Sequence, residues 1–271
     1  MRPDTIRSAV RERYSSIAAA ETCCAPSCCA GTSEAALSEA IGYTAEDLAG
    51  APAEANLGLG SGNPVAAAEL QPGQTVLDLG SGGGLDCFIA ASKVGPTGRV
   101  IGVDMTPEML DRARRTASER GVDNVEFRLG EVEALPVADE SVDVVISNCV
   151  LNLSPERSLA LREAHRVLRP GGRLVISDLI SEAAVPDHLR EEAELVTACL
   201  PVYRDEYVAD LRAAGFEDVS VTGERPYPSE ALSSTPVVRQ ILEARPELAH
   251  EVTRFAESVR GAILSGLKPT A

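Results

Sequence analysis

Short apolar stretches alternate with amphipathic stretches through the middle of the chain. The apolar runs that predict buried strands lie near residues 75–79, 99–103, 125–128, 142–147 and 173–177. The segments between these runs have the spacing of amphipathic helices, so helix and strand alternate to about Asp178. Such alternation is typical of a parallel sheet that is covered by helices on both faces.

The segment before the alternating region has a different character. Residues 1 to about 22 have apolar positions at helical spacing, which predicts an amphipathic helix, and residues 35–41 predict a short one. Residues 23–29 read Cys-Cys-Ala-Pro-Ser-Cys-Cys and predict a loop, because proline and small polar residues favour turns. We therefore divide the chain into an N-terminal helical extension with a cysteine cluster, residues 1–55, and a larger domain, residues 56–271.

The segment after the alternating region extends the sheet. Residues 205–214 predict a helix that Gly215 ends, and residues 216–222 predict a sixth strand. Residues 235–257 have a helical pattern, and residues 259–267 predict an antiparallel last strand.

Composition limits the compartment and the partners. The chain has 271 residues with 44% hydrophobic content, enough for one large α/β domain with an appendage. No run of 18 apolar residues is present and the N terminus is charged, so we expect a cytoplasmic protein with no membrane partner. The net charge is −16 and there is no basic stripe, which argues against a nucleic-acid partner.

A glycine-rich turn follows the first predicted strand. Residues 76–84 read Val-Leu-Asp-Leu-Gly-Ser-Gly-Gly-Gly, so the strand runs into Asp78 and then into four glycines. Glycine is needed where the backbone takes a positive φ or approaches a ligand closely. Asp104 ends the next apolar run, where a ribose-binding carboxylate belongs. Together these features predict an adenosine-containing cofactor.

The details of the turn discriminate among such cofactors. A dinucleotide fingerprint that begins at Gly80 needs a small residue at its sixth position, where this chain has Leu85, and no P-loop motif is present. The turn resembles instead the D-x-G-x-G-x-G motif of class I S-adenosylmethionine-dependent methyltransferases. Residues 135–139 and 166–174 resemble the segments that precede the fourth and fifth strands of that family. The resemblance implies a Rossmann-like α/β fold with a seven-stranded sheet, and S-adenosylmethionine as the cofactor.

Three of the seven cysteines lie inside or after the predicted sheet. Cys87 follows the glycine turn among apolar residues and is predicted to be a small core residue. Cys149 follows the fourth strand, and ligands of doubly wound sheets bind beyond the carboxyl ends of strands. Its thiol should therefore face the methyl group. Cys199 lies after the fifth strand, where it could close over the same site.

Over nearly its whole length the chain resembles the arsenite methyltransferase family. The matching segments are the cysteine pairs at 23–29, then 55–64, 102–110, 147–154 and Cys199. The resemblance implies that Cys149 and Cys199 are metalloid-binding, catalytic thiols. By the same resemblance the cofactor-binding residues are Asp78, Gly80, Gly82, Asp104, Met105, Gly130, Glu131 and Asn148. Asp104 is expected on the ribose, Met105 on the adenine and Glu131 beside its amino group.

The chemistry agrees with this resemblance. Trivalent arsenic is soft and prefers thiolate sulfur. Its lone pair can displace the methyl group from a sulfonium in line, so the reaction needs no general base, and the three histidines need no role. Methyl transfer formally oxidises arsenic, and thiols can return it to the trivalent state by forming a disulfide. A thiol reductant of the glutathione or thioredoxin type is therefore an expected partner beside the trivalent arsenical.

The chain departs from its family at Ser61, where the family usually has cysteine. A hydroxyl is hard and un-ionised near neutral pH, so it cannot replace a thiolate. Residues 200–203, Leu-Pro-Val-Tyr, are also bulkier than the family's Gly-Ala. Either a cysteine of the cluster, such as Cys28 or Cys29, supplies the third sulfur, or two thiols bind an already methylated arsenical or another substrate. The adjacent cysteines do not match the paired spacing of a zinc site.

Two other functions compete with arsenic methylation. The first is an O-, N- or C-methyltransferase of the same fold that acts on a small organic molecule, and it would need a base near the site. The second is a metalloid-binding sensor or sequestering protein without catalysis. The intact Asp78, Asp104 and glycines argue against that second reading, since a thiol binder has no use for a cofactor pocket.

Overall fold

The computed structural model describes residues 2–19, 33–183, 200–227, 238 and 242–270. Of the residues discussed above, Cys23, Cys24, Cys28, Cys29 and Cys199 lie outside the described ranges. No helix in the part of the chain that the structure describes has the length and the apolar character to cross a membrane.

Eight described strands form one sheet. They are β1 (Thr75–Leu79), β2 (Arg99–Asp104), β3 (Val125–Leu129), β4 (Val142–Asn148), β5 (Leu168–Ser181), β6 (Val202–Tyr203), β7 (Glu217–Pro226) and β8 (Val259–Leu267). Their order is β3-β2-β1-β4-β5-β8-β7, and β6 pairs with β5 outside this path. Strands β1 to β5 are parallel, and β8 is antiparallel to both β5 and β7. The predicted seven-stranded sheet and its antiparallel last strand are confirmed, and β6 is a short addition.

The described α-helices lie before, between and after these strands. They are α1 (Pro3–Ala19), α2 (Glu34–Ile41), α3 (Ala45–Ala49), α4 (Pro64–Ala68), α5 (Leu85–Val94), α6 (Pro107–Arg120), α7 (Arg157–Val167), α8 (Arg204–Ala213) and α9 (Ala249–Glu257). Because successive strand residues point to opposite faces, β1 serves two cores. Val76 packs with residues of α4, α5 and α6, whereas Leu77 packs with α7 and α8. Helices therefore cover both faces of the sheet, as predicted.

Several boundaries differ from the sequence prediction, and β5 and β7 end at Ser181 and Pro226 where the sequence predicted 177 and 222. Strand β5 begins at Leu168, five residues before the expected 173, and Gly171 and Gly172 exchange backbone hydrogen bonds with Lys268 at the end of β8. In the last helical segment the described residues form a 3-10 turn at Pro246–Leu248 before α9. Proline has no N–H to donate, so it stands at the start of a helical segment and not inside one.

The N-terminal extension and the sheet share a core. Tyr43 and Ala55 belong to the same buried cluster as Val76 of β1 and Ile89 of α5. The Thr44 and Asp47 side chains form a capping box that fixes the start of α3. Helix α1 packs against α6. The boundary between residues 55 and 56 remains a prediction.

Candidate active site

The glycine turn between β1 and α5 has the backbone conformation that its sequence predicts. Gly80, Gly82 and Gly84 have φ angles of +66°, +50° and +91°. A Cβ on Gly80 would lie 2.4 Å from Val150, so no side chain fits there. A Cβ on Gly82 would have no atom within 4 Å, so the turn faces open space at this point. This is the cradle that a closely approaching ligand requires.

Asp104, at the end of β2, holds this turn in place through hydrogen bonds. Its Oδ2 accepts the backbone N–H of Gly82 at 2.9 Å, and its Oδ1 accepts the N–H of Thr106 at 2.8 Å. Burial raises the pKa of Asp104 above its ordinary value, although both hydrogen bonds oppose the shift. The carboxyl is thus held at the mouth of the turn, with acceptor sites left for a ribose hydroxyl.

A cavity of about 310 Å³ opens above the carboxyl ends of β1, β2 and β4. Its volume is at the lower end of the usual range for small-molecule sites. The predicted site residues that line it are Asp78, Gly80, Gly82, Asp104, Met105, Asn148 and Cys149. The structure therefore brings seven of the predicted residues to one cavity.

Gly130 and Glu131 are not part of the cavity wall. Gly130 lies against Pro136, where an added Cβ would approach to 2.7 Å. The carboxylate of Glu131 is paired with Arg7 and Arg11 of α1. Their contact with the adenine remains a prediction.

Glu133, which the sequence analysis did not single out, lines the cavity instead. It is 7% exposed, and its Oε1 accepts the Ser154 hydroxyl at 2.6 Å. Arg7 lies 3.6 Å from the same carboxylate. The residues that meet here come from distant parts of the chain, so local sequence carries no signal for this contact.

Asn148, at the end of β4, connects three elements. Its Oδ1 accepts the backbone N–H of Ser61 at 3.0 Å, and its Nδ2 lies 2.8 Å from the carbonyl oxygen of Gly62. The same Nδ2 lies 2.8 Å from the hydroxyl of Tyr43 and 3.1 Å from Oδ2 of Asp86. Asn148 lines the cavity and also holds the loop of residues 58–63 against the sheet.

Tyr43 and Asp86, which the sequence did not reveal, both contact this amide. Tyr43 donates its hydroxyl proton to Oδ1 of Asp86 at 2.7 Å. Burial raises the pKa of Asp86 to about 6, against the opposing effect of the Tyr43 and Asn148 hydrogen bonds. Burial and then the charge of Asp86 raise the pKa of Asp78 well above its usual value. A cation bound in the cavity would relieve this crowding of carboxyls.

The two cysteines within the described residues have different environments. The Sγ of Cys87 lies 3.3 Å from Oδ2 of Asp78, and its burial raises the pKa of the thiol well above its usual value. Cys87 is a core residue, as predicted. Cys149 lines the cavity, has a φ of +58°, and donates its backbone N–H to the carbonyl of Ser177 at 2.8 Å. A positive φ at a non-glycine residue is a costly conformation that clusters at functional sites.

Ser61, the position of the family's third cysteine, is half-buried beside the end of the sheet. Its Oγ lies 3.1 Å from the Oγ of Ser177 on β5. A Cβ on Gly62 would lie 2.5 Å from that same Ser177 Oγ, so a side chain here would displace the Ser177 hydroxyl. The Ser61 hydroxyl therefore contacts Ser177, whose carbonyl accepts the Cys149 N–H, so position 61 lies beside Cys149 without itself lining the cavity.

Histidines and metal clusters are absent from this described site. His165 packs edge-on against Phe216, and His250 lies in α9. Across the described residues, no three histidine, cysteine or acidic side chains are arranged to hold a metal ion. The predicted absence of zinc at residues 23–29 concerns a segment outside the described ranges.

Comparison with known proteins agrees with this geometry. Residues 70–224 match a family described as a methyltransferase domain. The arsenite methyltransferase of Halobacterium salinarum is 50% identical over 231 residues, which cover 81% of this chain and 59% of that protein. That of Aquipseudomonas alcaligenes is 43% identical over 166 residues, which cover 58% of this chain and 48% of the relative. The chain thus spans about half the length of the curated relatives that it matches.

A solved structure gives the same result. The crystal structure of an arsenic(III) S-adenosylmethionine methyltransferase from Chlamydomonas reinhardtii is similar with a TM-score of 0.62 and 30% identity. The match covers 86% of this chain and 73% of that one. The class I methyltransferase fold predicted from the glycine turn is confirmed. By sequence and by fold, this chain belongs to the arsenite methyltransferase family.

Proposed function

We propose that this protein methylates trivalent arsenic with S-adenosylmethionine as the methyl donor. The observation that carries the proposal is the position of Cys149 at the wall of the cavity formed by the glycine turn. A thiol beside a cofactor cavity is the arrangement that thiolate-bound arsenic needs in order to meet the methyl group. Membership of the arsenite methyltransferase family supports the same activity.

The cofactor fits the residues of the cavity. The open space beside Gly82 admits a ligand close to the backbone, and Asp104 offers its carboxyl to the ribose hydroxyls. Met105 lies at the cavity wall, where it can contact the adenine. The carboxyls of Asp78 and Asp86 suit a ligand that bears positive charge. When bound, the cofactor supplies an electrophilic methyl group on a sulfonium.

The cysteines would position the arsenic. Cys149 and Cys199 are the proposed ligands, and Cys199 rests on family resemblance because it lies outside the described residues. These thiolates would hold the arsenic with its lone pair toward the cofactor, which would supply the methyl group from its sulfonium and leave as a neutral thioether. No proton is transferred in this step, which suits a cavity whose described lining contains no histidine.

The return of the methylated arsenic to the trivalent state requires two electrons. Arsenic becomes pentavalent on methyl transfer, and two thiolates can reduce it by forming a disulfide. A small thiol or a dithiol protein then has to reduce that disulfide, so we propose a reductant of the glutathione or thioredoxin type as a partner. We propose the cytoplasm as the compartment, because its thiols are kept reduced.

The serine at position 61 bears on which arsenical the protein prefers. With a hydroxyl at position 61, Cys149 and Cys199 provide two thiols, which match the two remaining bonds of a monomethylated arsenic centre. Arsenite has three bonds to fill. We propose monomethylarsenite as the preferred substrate, with Cys28 or Cys29 as the source of a third thiol if arsenite is also used.

One observation favours the organic-substrate alternative. Asp86 lines the cavity and has a pKa raised to about 6, close to the value of a useful general base. Both of its oxygens accept hydrogen bonds from protein groups, which leaves less capacity for a substrate proton. Arsenic methylation therefore remains the proposal that the geometry favours.

Product analysis distinguishes these functions. The protein is incubated with S-adenosylmethionine carrying a labelled methyl group, a thiol, and either arsenite or monomethylarsenite, and the arsenic species are separated. We expect label in methylated arsenic, and we expect Asp86→Asn to retain most of the transfer if it retains the cofactor. Cofactor binding without any labelled arsenical would contradict the proposal and favour an organic substrate.

A further inference from the structure

Helix α1 forms one wall of the cofactor cavity. Four of its residues line the cavity: Arg7, Val10, Arg13 and Tyr14. Val10 is 3% exposed and packs with Leu153, Met105 and Cys149 in one apolar cluster. The helix therefore covers one side of the site, and its apolar residues meet Met105, the predicted adenine contact.

Ion pairs hold α1 in this position. The side chain of Arg7 is only 12% exposed and pairs with Glu156, with Glu131 at 3.4 Å and with Glu133 at 3.6 Å. Arg11 pairs with Glu131 at 3.3 Å. Despite the opposing effect of burial, these carboxylates raise the pKa of Arg7 above its ordinary value. Arg7 thus attaches α1 to the rim of the cavity through three carboxylates.

The apolar attachment of α1 is small by comparison. Val10 is the one fully buried residue of this 17-residue helix. Burial of a valine contributes about 1.5–3 kcal/mol, and Ile6 and Tyr14 add smaller contributions because they are only partly buried against the same cluster. A helix held mainly by charges detaches more readily when the salt concentration rises.

We propose that α1 is part of the cofactor-binding site, with Val10 and Tyr14 contacting the adenosine beside Met105 and with Arg7 positioning the helix. This inference rests on the proposed cofactor but not on the arsenic substrate. A bound adenosine adds the apolar contact that α1 lacks, so cofactor and helix stabilise each other. While α1 is in place it forms one wall of the site, so the Arg7 ion pairs slow the release of the cofactor.

The test uses S-adenosylhomocysteine, the demethylated product, which carries no sulfonium charge. Calorimetry compares wild type with Arg7→Gln, with Arg7→Lys, and with the matched control Arg2→Gln, which removes an exposed arginine just before α1. We expect Arg7→Gln to weaken binding about tenfold, the effect of losing one charge-assisted pair. Arg7→Lys should recover part of the loss, and Arg2→Gln should bind as wild type does.

Two further measurements separate positioning from general stability. Added salt should weaken binding by wild type and have less effect on Arg7→Gln, because the variant has already lost the ion pairs. In wild type, the backbone amides of α1 should exchange with solvent about tenfold more slowly when S-adenosylhomocysteine is present. In turnover with saturating arsenical, Arg7→Gln should raise KM for the cofactor and leave kcat unchanged or higher.

The outcomes are distinct. Equal affinity of wild type and Arg7→Gln, or α1 exchange that is insensitive to the bound product, would overturn the role of α1 and leave the proposed cofactor intact. No binding of S-adenosylhomocysteine by wild type would remove the cofactor proposal itself, and the inference with it. If Arg7→Gln does not fold, the exchange measurement on wild type still decides the role of α1.

Discussion

Ser61 and Cys149 both form hydrogen bonds with Ser177. Ser61 uses its hydroxyl, and Cys149 uses its backbone N–H. The Oγ of Ser61 lies 3.1 Å from the Oγ of Ser177, and the N–H of Cys149 donates to the Ser177 carbonyl at 2.8 Å. The Oδ1 of Asn148 also accepts a hydrogen bond from the backbone N–H of Ser61. The position of the family's third cysteine and the proposed arsenic ligand are thus held in fixed relation by the end of β5.

Removal of the Asp104 carboxyl should weaken cofactor binding. In Asp104→Ala the Gly82 and Thr106 N–H groups lose their acceptor, and a ribose hydroxyl loses its partner. We expect a loss of about 1.5–3 kcal/mol, the usual value of a hydrogen bond to a charged group. Calorimetry with S-adenosylmethionine measures it, and an unchanged affinity would refute the role of Asp104.

A methyl group added at Gly82 should block the cofactor more than it harms the fold. Gly121 is the matched control, since its φ of +63° is similar and an added Cβ also has no atom within 4 Å. Alanine at a positive φ costs about 1–2 kcal/mol in either position. Thermal unfolding should show comparable losses, while only Gly82→Ala loses cofactor affinity. Parallel affinity losses in both variants would show that the Gly82 effect is backbone strain alone.

Cys149→Ser should abolish methyl transfer to arsenic and retain cofactor binding. Serine removes a soft ligand with little change in volume, whereas the proposed cofactor contacts come from the turn and from Asp104. Cys87→Ala is the control, because that thiol is buried beside Asp78 and takes no part in the proposed reaction. The assay follows labelled methyl transfer to arsenicals. Full turnover by Cys149→Ser would favour the organic-substrate function.

The protein without cofactor should lose stability between about pH 5 and pH 8. Burial raises the pKa of Asp178 to about 7 and of Asp86 to about 6. Between its ordinary pKa and this raised value, each carboxyl binds more protons in the folded state than in the unfolded state. Stability from each group is therefore present at low pH and is lost as the pH rises through the raised pKa.

The Asp178→Asn variant isolates one of these groups. For a pKa near 7, the loss between pH 5 and pH 8 is about 2–3 kcal/mol. Asparagine stays neutral, so urea unfolding of Asp178→Asn should depend less on pH by about this amount. A wild type that becomes more stable across the same range would contradict the assignment.

Much of the fold could be predicted from local sequence. The apolar runs gave strands β1 to β4 to within one residue, because a buried parallel strand must be apolar on both faces. The glycine turn could also be predicted, because the positive φ angles of Gly80 and Gly82 favour glycine. The start of β5 was missed because Leu168 pairs with Val142 of β4 ahead of a register shift, and Gly171 and Gly172 pair with Lys268 just after β8, contacts that depend on neighbouring strands.

The sequence predicted those residues of the candidate site that belong to a recognisable motif or to the end of a strand. Asp78, Asp104 and Cys149 lie at strand ends, and topology brings strand ends together. Glu133 and the Arg7 ion pairs could not be found this way, because the partners are more than 100 residues apart in the chain. The network of Asn148 with Tyr43 was missed for the same reason, since their contact depends on tertiary packing.

The central claim, a two-thiol site for trivalent arsenic, is tested by initial rates on monomethylarsenite and arsenite for wild type, Ser61→Cys and Ser61→Ala. We predict that wild type methylates monomethylarsenite faster, and that Ser61→Cys narrows or reverses this preference by supplying a third thiol. Ser61→Ala removes the Ser177 contact without adding sulfur and should keep the wild-type preference. The variant with Cys23, Cys24, Cys28 and Cys29 all changed to serine is measured beside them. If wild type methylates arsenite rapidly, and the initial rate on arsenite is the same in Ser61→Cys and in the cluster variant, the two-thiol site is contradicted.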